Sequence, residues 1–365
     1  MIKIKNLTKS YKNFTLNIED FQIPKGEYHI MLGSTGAGKS LLAKLTAGFI
    51  KPDKGTILIN SQDVTKLLPE KRNIAYIPQT QNLFPHMNVL QNIEYGLRFK
   101  KTGKSFENQA AYCSGIISKL NIQNLVSRTP ASLSGGEKQK AALARALAPH
   151  PEAIILDEPL SAVDKASRLS FHKILKQLNK EEKITFIHIT HDHSEAFCLG
   201  DRISFIHKGC ILQTDTPENI FRKPKTIAMA KFLGIENIFS GFLQKSGSNL
   251  FFIAGPFSFI IPEHLHKHTE SLTDSIKLMI EPEKIFIPHK NSKSHKNLNC
   301  FDLFLKESYP LNSRLIKAVF TAEKTKITDN SSIHVITTFE KFKKREYNKK
   351  VRIIIDDNAF HFVKE

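Results

Sequence analysis

An α/β fold followed by a small all-β domain is what this sequence predicts, and three observations predict it. "YHIMLGSTGAGKSLLAKLTAGF" from Tyr28 reads as apolar strand, glycine-rich turn and helix. "AIILDEP" from Ala153 and "FIHITHDHSEA" from Phe186 begin with short apolar runs, the kind that form strands buried on both faces of a parallel sheet. After "FLGIENIFSG" from Phe232 the pattern changes to short strand-like pieces set apart by turn formers, as in a small OB-like barrel.

The totals agree with two domains. A chain of 365 residues exceeds one ordinary domain, and 41% apolar residues suffice for a sizeable core. Cys113, Cys198, Cys210 and Cys300 are scattered with no C-x-x-C pair, which speaks against a disulfide framework or zinc site and for a reducing compartment. "MIKIKNLTKSYKN" has no apolar core of signal-peptide length. The most apolar run, "FFIAGPFSFII" from Phe251, is too short to span a bilayer and is broken by Pro256. A chain soluble by itself is expected. The net charge of +18 is spread along the chain, so it reads as a lysine-rich solvated surface and no nucleic acid partner is expected. The one dense basic run, "KFKKREYNKK" from Lys341, reads as a solvated loop.

Gly33 to Ser40 match G-x-x-x-x-G-K-[ST] in the strand–loop–helix context that a phosphate-binding P-loop needs. The backbone of Gly33, Ser34, Thr35, Gly36, Ala37 and Gly38 would wrap phosphate oxygens, with the helix N-terminus aimed at them. Lys39 would reach the β- and γ-phosphates and Ser40 would ligate Mg²⁺, so ATP and Mg²⁺ are the expected cofactors. Asp157 at a strand tip would hold the metal through water, and Glu158 would act as general base on the attacking water. His188, His191 and His193 are not read as a metal cluster. Alternate strand residues face opposite ways, and no acid or cysteine completes a ligand spacing. His191 is then either a strand-tip contact to the γ-phosphate or a surface histidine. "LSGGE" from Leu133 opens a helix and is a second turn suited to an anion.

In order, the chain carries "GSTGAGKS", Gln79 in "YIPQTQNLFPHMNV", "LSGGE", "IILDEP", "SAVD" from Ser161 and "ITHD" with His191. This series resembles the ATP-binding-cassette (ABC) ATPases, closely over residues 1 to about 240 and loosely beyond. The resemblance implies an ABC ATPase domain over residues 1–235, a helical subdomain over about 83–145, and a β-barrel accessory domain over 236–365. It implies that Ser134, Gly135 and Gly136 bind the γ-phosphate of ATP held by a second copy, two cassettes packing head to tail. It implies that Tyr11 stacks on adenine, Gln79 touches Mg²⁺ and the water, His191 touches the γ-phosphate, and Asp164 lies in a loop crossing to the other cassette. The other implied partners are transmembrane permease subunits and, indirectly, a periplasmic or extracellular solute-binding protein. The chain would then sit at the cytoplasmic face of the membrane.

"LFPHMNVLQNIEYGL" from Leu83 resembles the importer form of the segment that receives a permease coupling helix, with Phe84, Pro85 and Met87 as its apolar prow. Ribosome-acting relatives usually carry two cassettes, and repair ATPases carry a long coiled coil between P-loop and signature. This chain has one P-loop, one signature and no sustained heptad. A soluble ABC ATPase acting on nucleic acid is therefore the less favoured class. "PEKRNIAYIPQ" and "HITHDHSEA" further resemble the molybdate/tungstate group of importer ATPases, with sulfate, ferric iron, polyamine and sugar importers as alternatives. In the C-terminal part, "NLFFIA", "FSFIIP", "SIKLMI", "KIFIP", "RLIKAVF", "IHVITTF", "VRIIID" and "AFHFV" read as strands. "IEPEKI" places Glu281 where the accessory domain usually has Arg, and "IDDNAFHFV" resembles the last strand of oxyanion-binding domains. The barrel is expected to serve as a dimer contact at least and an oxyanion sensor at most.

Overall fold

The computed structural model describes residues 1–80, 82–99, 106–266, 277–288, 299–323, 331–342 and 349–363. Residues 343–348 of the basic run from Lys341 lie outside them. The chain divides into two compact units, Met1–Ile220 and Phe221–Glu365.

In the first unit, β1 (Ile2–Tyr11) and β2 (Phe14–Ile23) form an antiparallel hairpin. With β4 (Lys54–Ile59) and β5 (Gln62–Asp63) they make a four-stranded sheet of order β2-β1-β4-β5. The second sheet contains β3 (Tyr28–Leu32), β6 (Ile74–Ile77), β7 (Ala153–Asp157), β8 (Thr185–Thr190), β9 (Arg202–His207) and β10 (Cys210–Asp215). Its order is β10-β9-β3-β8-β7-β6, parallel except for β10. Strands β3, β7 and β8 are buried at every position. Burial at every position reflects a parallel sheet covered on both faces, with His29 and His188 taken into it among the apolar residues. Leu16, Ile57, Leu42 of α1 (Lys39–Ala47), Ile155 and Ile187 belong to one buried cluster, which joins the two sheets around that helix.

Helix α1 ends at Gly48, held at φ 90°. The buried guanidinium of Arg72, 2% exposed, caps that end by donating to Leu45 O at 2.8 Å and Thr46 O at 3.0 Å. It also donates to Thr65 O and Leu67 O, both at 3.0 Å. The carbonyls of a helix C-terminus need such partners when buried. A Cβ on Gly48 would lie 2.5 Å from Arg72 Nε. Gly48→Ala is therefore expected to destabilise this unit by about 2–4 kcal/mol, combining left-handed backbone strain with displacement of the guanidinium. Calorimetry on the whole chain would read this as a lower first transition; an unchanged transition would show that Arg72 moves aside freely.

Between β6 and β7 the chain inserts α2 (Val89–Glu94), α3 (Phe106–Lys119) and α4 (Gly135–Leu147), with α2 and α3 both packed on α4. Helices α5 (Lys165–Glu182), α6 (His193–Leu199) and α7 (Pro217–Arg222) follow. No helix among the described residues is long and apolar enough to cross a membrane.

The second unit begins with α8 (Ile227–Phe232), whose Ala230 is buried with Met279 and Val363. The segment 221–235, assigned to the ATPase domain from the sequence, thus packs with the β-rich unit. Strands β11 (Ile238–Ser240), β15 (Lys277–Ile280) and β21 (Phe360–Val363) form one sheet. A second holds β12 (Phe242–Ser246), β13 (Asn249–Ala254) and β14 (Phe257–Ile261). The third has the order β16-β20-β17-β18-β19, with β16 (Ile285–Phe286), β17 (Cys300–Pro310), β18 (Leu315–Thr321), β19 (Ser332–Thr338) and β20 (Lys350–Ile355). Short helices α9 (Glu263–His266) and α10 (Phe339–Phe342) follow β14 and β19. All three sheets feed one core, where Phe252, Phe257, Phe259, Phe320 and Phe360 are buried. This is the small, nearly closed OB-like architecture expected. Each strand-like piece read from the sequence contributes a strand, and β11, β12 and β17 are additional. In β17, "CFDLFLKESYP" has only Leu303 and Leu305 buried, and the alternation is broken by a register shift between Leu305 and Glu307.

Candidate nucleotide site

Strand β3 delivers the P-loop at its C-terminal end, the edge where open α/β sheets place their ligands. Lys39 is only 6% exposed, and its ammonium donates to Gly33 O at 2.7 Å and Ser34 O at 2.9 Å. Burial pulls its pKa below the ordinary lysine value, against the opposing pull of Glu158 and Asp157. The next residue, Ser40, donates its hydroxyl to Asp157 Oδ1 at 2.9 Å. Asp157 ends β7, and its Oδ2 accepts from Tyr76 Oη on β6 at 2.8 Å.

Glu158 adopts φ 48°, a left-handed conformation that costs about 1–2 kcal/mol for a residue with a Cβ. Neighbours hold it there. Its amide donates to Ile189 O at 3.0 Å, and its carbonyl accepts from the Ser161 amide at 3.2 Å and the Ser161 hydroxyl at 2.9 Å. Glu158 Oε1 is 3.1 Å from His191 Nδ1, and Gln79 Nε2 is 3.5 Å from Glu158 Oε2. The loops after β6, β7 and β8 therefore converge on one carboxylate. Thr35, Gly36, Gly38, Lys39, Ser40, Gln79, Asp157, Glu158 and His191 line one cavity of about 560 Å³.

Phe14 of β2 also lines that cavity and escaped the sequence reading. Tyr11 does not; it is 51% exposed, directly across the hairpin from Phe14, with Lys9 Nζ 5.8 Å from its ring centre. Only the hairpin register shows that both aromatics lie at this end of the sheet.

Ser134, Gly135 and Gly136 contribute nothing to the cavity lining. Ser134 caps α4 in a reciprocal box: its amide donates to Glu137 Oε2 at 2.8 Å, and its hydroxyl accepts from the Glu137 amide at 3.3 Å. Gly135 sits against the "SAVD" loop, where a Cβ would lie 2.5 Å from Ala162 O. Gly136 has open space instead. Asp164 caps α5 by accepting from the Ser167 amide at 3.0 Å. The signature turn is thus a formed helix N-terminus seated away from the chain's own P-loop cavity.

His188 is fully buried, 2.9 Å from Tyr28 Oη and 3.4 Å from Glu195 Oε2. Glu195 also accepts from Thr190 Oγ1 at 2.8 Å, and that oxygen accepts from the Asp192 amide at 3.0 Å. Burial acts to raise the Glu195 pKa, but bonds from His188 and Thr190 outweigh it and hold the carboxyl below its usual value. This buried network flanks His191 on both sides in sequence. Asn92 on α2 is another residue without a motif signal. It accepts from the Phe84 amide at 2.8 Å and donates to Phe84 O, Met87 O and Asn88 O at 3.2, 3.1 and 3.0 Å. Phe84 turns partly inward, 4.6 Å from the Tyr95 ring centre, while Pro85 is exposed.

A fold of this type with this cavity defines a P-loop ATPase. Residues 16–161 match the family model described as ABC transporter. The molybdate/tungstate import ATP-binding protein WtpC of Pyrococcus horikoshii is 41% identical over 241 residues, covering 66% of this chain and 69% of that protein. The spermidine/putrescine import ATP-binding protein PotA of Borrelia garinii subsp. bavariensis is 36% identical over 331 residues, covering 90% and 93%. Among solved structures, the dimeric post-hydrolysis state of the ATP-binding cassette MJ0796 bound to ADP and Pi matches with TM-score 0.53 and 30% identity, covering 60% of this chain and 99% of that one. The chain belongs to the ABC transporter ATPase family, as an importer-type subunit that couples ATP hydrolysis to transport.

Proposed function

We propose that this chain powers a molybdate or tungstate importer, acting as a head-to-tail pair with a second copy beneath separate membrane subunits at the cytoplasmic face. The observation that carries the mechanism is the meeting of Lys39, Ser40, Asp157, Glu158, Gln79 and His191 at one cavity, with Ser134 outside it. The donors fit a hard divalent cation: a hydroxyl and a carboxylate oxygen 2.9 Å apart, with the Gln79 carboxamide lining the same cavity. Ser40 and Asp157 would hold Mg²⁺, which neutralises charge between the β- and γ-phosphates when bound with ATP. The P-loop amides and Lys39 bind and orient the phosphates. Glu158 takes a proton from the attacking water, while His191 and Gln79, both within reach of its carboxylate, fix the carboxylate and that water. The Ser134–Gly136 helix N-terminus is free to meet ATP held by the partner copy, which is how the dimeric structural relative supports the pairing.

Cargo rests on the cassette, where identity to molybdate/tungstate import proteins is 41% over 241 residues for one relative and 44% over 238 for another. Polyamine is the second reading, because the spermidine/putrescine relative aligns over 331 residues and so runs into the β-rich unit. Within that unit, Glu281 Oε1 lies 2.9 Å from Lys284 Nζ and 2.7 Å from His361 Nε2. A carboxylate thus already answers the basic groups of "IEPEKI" and "AFHFV", which weighs against an oxyanion sensor there. Uptake of labelled tungstate and labelled spermidine by cells lacking this chain separates the readings. Loss of tungstate uptake alone is expected; loss of spermidine uptake alone overturns the cargo assignment.

A further inference from the structure

We propose that Tyr76 is a positioning residue for Mg²⁺, holding the Asp157 carboxylate in register with Ser40, and that the exposed Phe49 steadies Tyr76 from the surface. The inference rests on the reading of Ser40 and Asp157 as the metal side of the site. Tyr76 and Phe49 lie in the stretches that carry Gln79 and the P-loop helix, and the resemblance gives neither of them a role.

The geometry is a carboxylate held at both oxygens by hydroxyls from different elements. Oδ1 accepts from Ser40 on α1 at 2.9 Å, and Oδ2 accepts from Tyr76 on β6 at 2.8 Å. An aspartate torsion about its carboxyl group is broad, so a single donor leaves the plane free to turn. Two donors fix it. The fixed plane in turn directs the Ser40 proton toward Asp157, which turns the Ser40 lone pairs toward the cavity, where a hard cation takes them. Tyr76 acts purely as a donor.

Tyr76 is well placed to transmit a surface event. It pairs with Ile155 in the parallel ladder, three residues before Gln79 in the same run. Its ring centre lies 5.4 Å from that of Phe49, the residue that follows the α1 cap. Phe49 is 57% exposed, unusual for a ring in contact with a half-buried neighbour. One side chain on the surface therefore touches the ring whose hydroxyl touches Asp157.

The full-length chain can be tested by titrating Mg²⁺ into MANT-ATP, a fluorescent ATP analogue, and following binding. In Tyr76→Phe the half-saturating Mg²⁺ concentration should rise about 10-fold, the usual effect of removing an outer partner of a metal ligand. Binding without Mg²⁺ and the melting temperature should hold, and turnover at saturating Mg²⁺ should fall far less than the midpoint moves. Phe49→Ala should shift the midpoint the same way by about threefold and add nothing in the double variant, since both act through one hydroxyl. An unmoved midpoint in Tyr76→Phe, with Asp157→Asn shifted, makes Tyr76 a packing residue and overturns the proposal. Additive shifts overturn the part played by Phe49. If Asp157→Asn also leaves the midpoint in place, the Mg²⁺ assignment itself is wrong.

Discussion

Glu158→Gln should bind ATP as the parent chain does and hydrolyse it about 10²–10⁴-fold more slowly, the range a general base contributes. The substitution keeps size and shape. It also keeps the backbone, because glutamine in the left-handed region is no more strained than glutamate, and the bonds that hold φ at 48° come from Ile189 and Ser161 main-chain and hydroxyl groups. What it removes is the proton acceptor 3.1 Å from His191. ATP then persists, so the variant should elute as an ATP-dependent dimer on a sizing column and as a monomer without nucleotide. Single-turnover hydrolysis separates the chemical step from product release. Turnover near that of the parent chain would remove Glu158 from the role of base and leave it as a fastener between the β7 and β8 loops.

Ser134→Arg should abolish turnover while leaving ATP binding by the same chain intact. The reason is placement: Ser134 caps α4 and lies outside the cavity formed by Lys39, Asp157 and Glu158. Losing the cap costs about 1 kcal/mol, too little to unfold the unit, and Ser134→Ala controls for it. The decisive measurement mixes Ser134→Arg chains with Lys39→Ala chains, each inactive alone. If the signature of one copy serves the P-loop of the other, a mixed pair retains one intact site. Activity then returns to about a quarter of the parent rate, assuming random pairing and independent sites in a two-fold dimer. If the signature serves its own chain, no mixture recovers, and the head-to-tail reading fails.

The cavity residues illustrate which features were legible before the fold was known. Gly33 to Ser40, Asp157 and Glu158 announce themselves because each needs a particular backbone setting, a strand tip or helix start, that short local patterns encode. Phe14 was missed because its place depends on the β1–β2 register, which pairs it with Tyr11. Asn92 and Arg72 were missed because a polar side chain carries no local sign that it will be buried. Both are buried, and both satisfy loop or helix-end carbonyls that only the folded chain brings within reach. In the β-rich unit most strands were legible, while β17 was hidden by the register shift between Leu305 and Glu307, which breaks its alternation.

The sequence by itself determined the ABC class, the parallel strands and the order of the phosphate-binding and acidic loops. The class rests on the resemblance of six ordered motifs, and the rest are properties of contiguous segments: hydrophobic period, glycine placement and capping. Tertiary structure alone decided which oxygen meets which donor. Ser40 and Tyr76 reach the same carboxylate across 117 and 81 positions of chain. His191 reaches Glu158 across 33. Tertiary structure also decided that the signature turn, although fully formed, is seated away from its own P-loop. Hydrogen bonds demand atoms within a few tenths of an ångström, and that precision comes from strand register and helix packing, which no local pattern specifies.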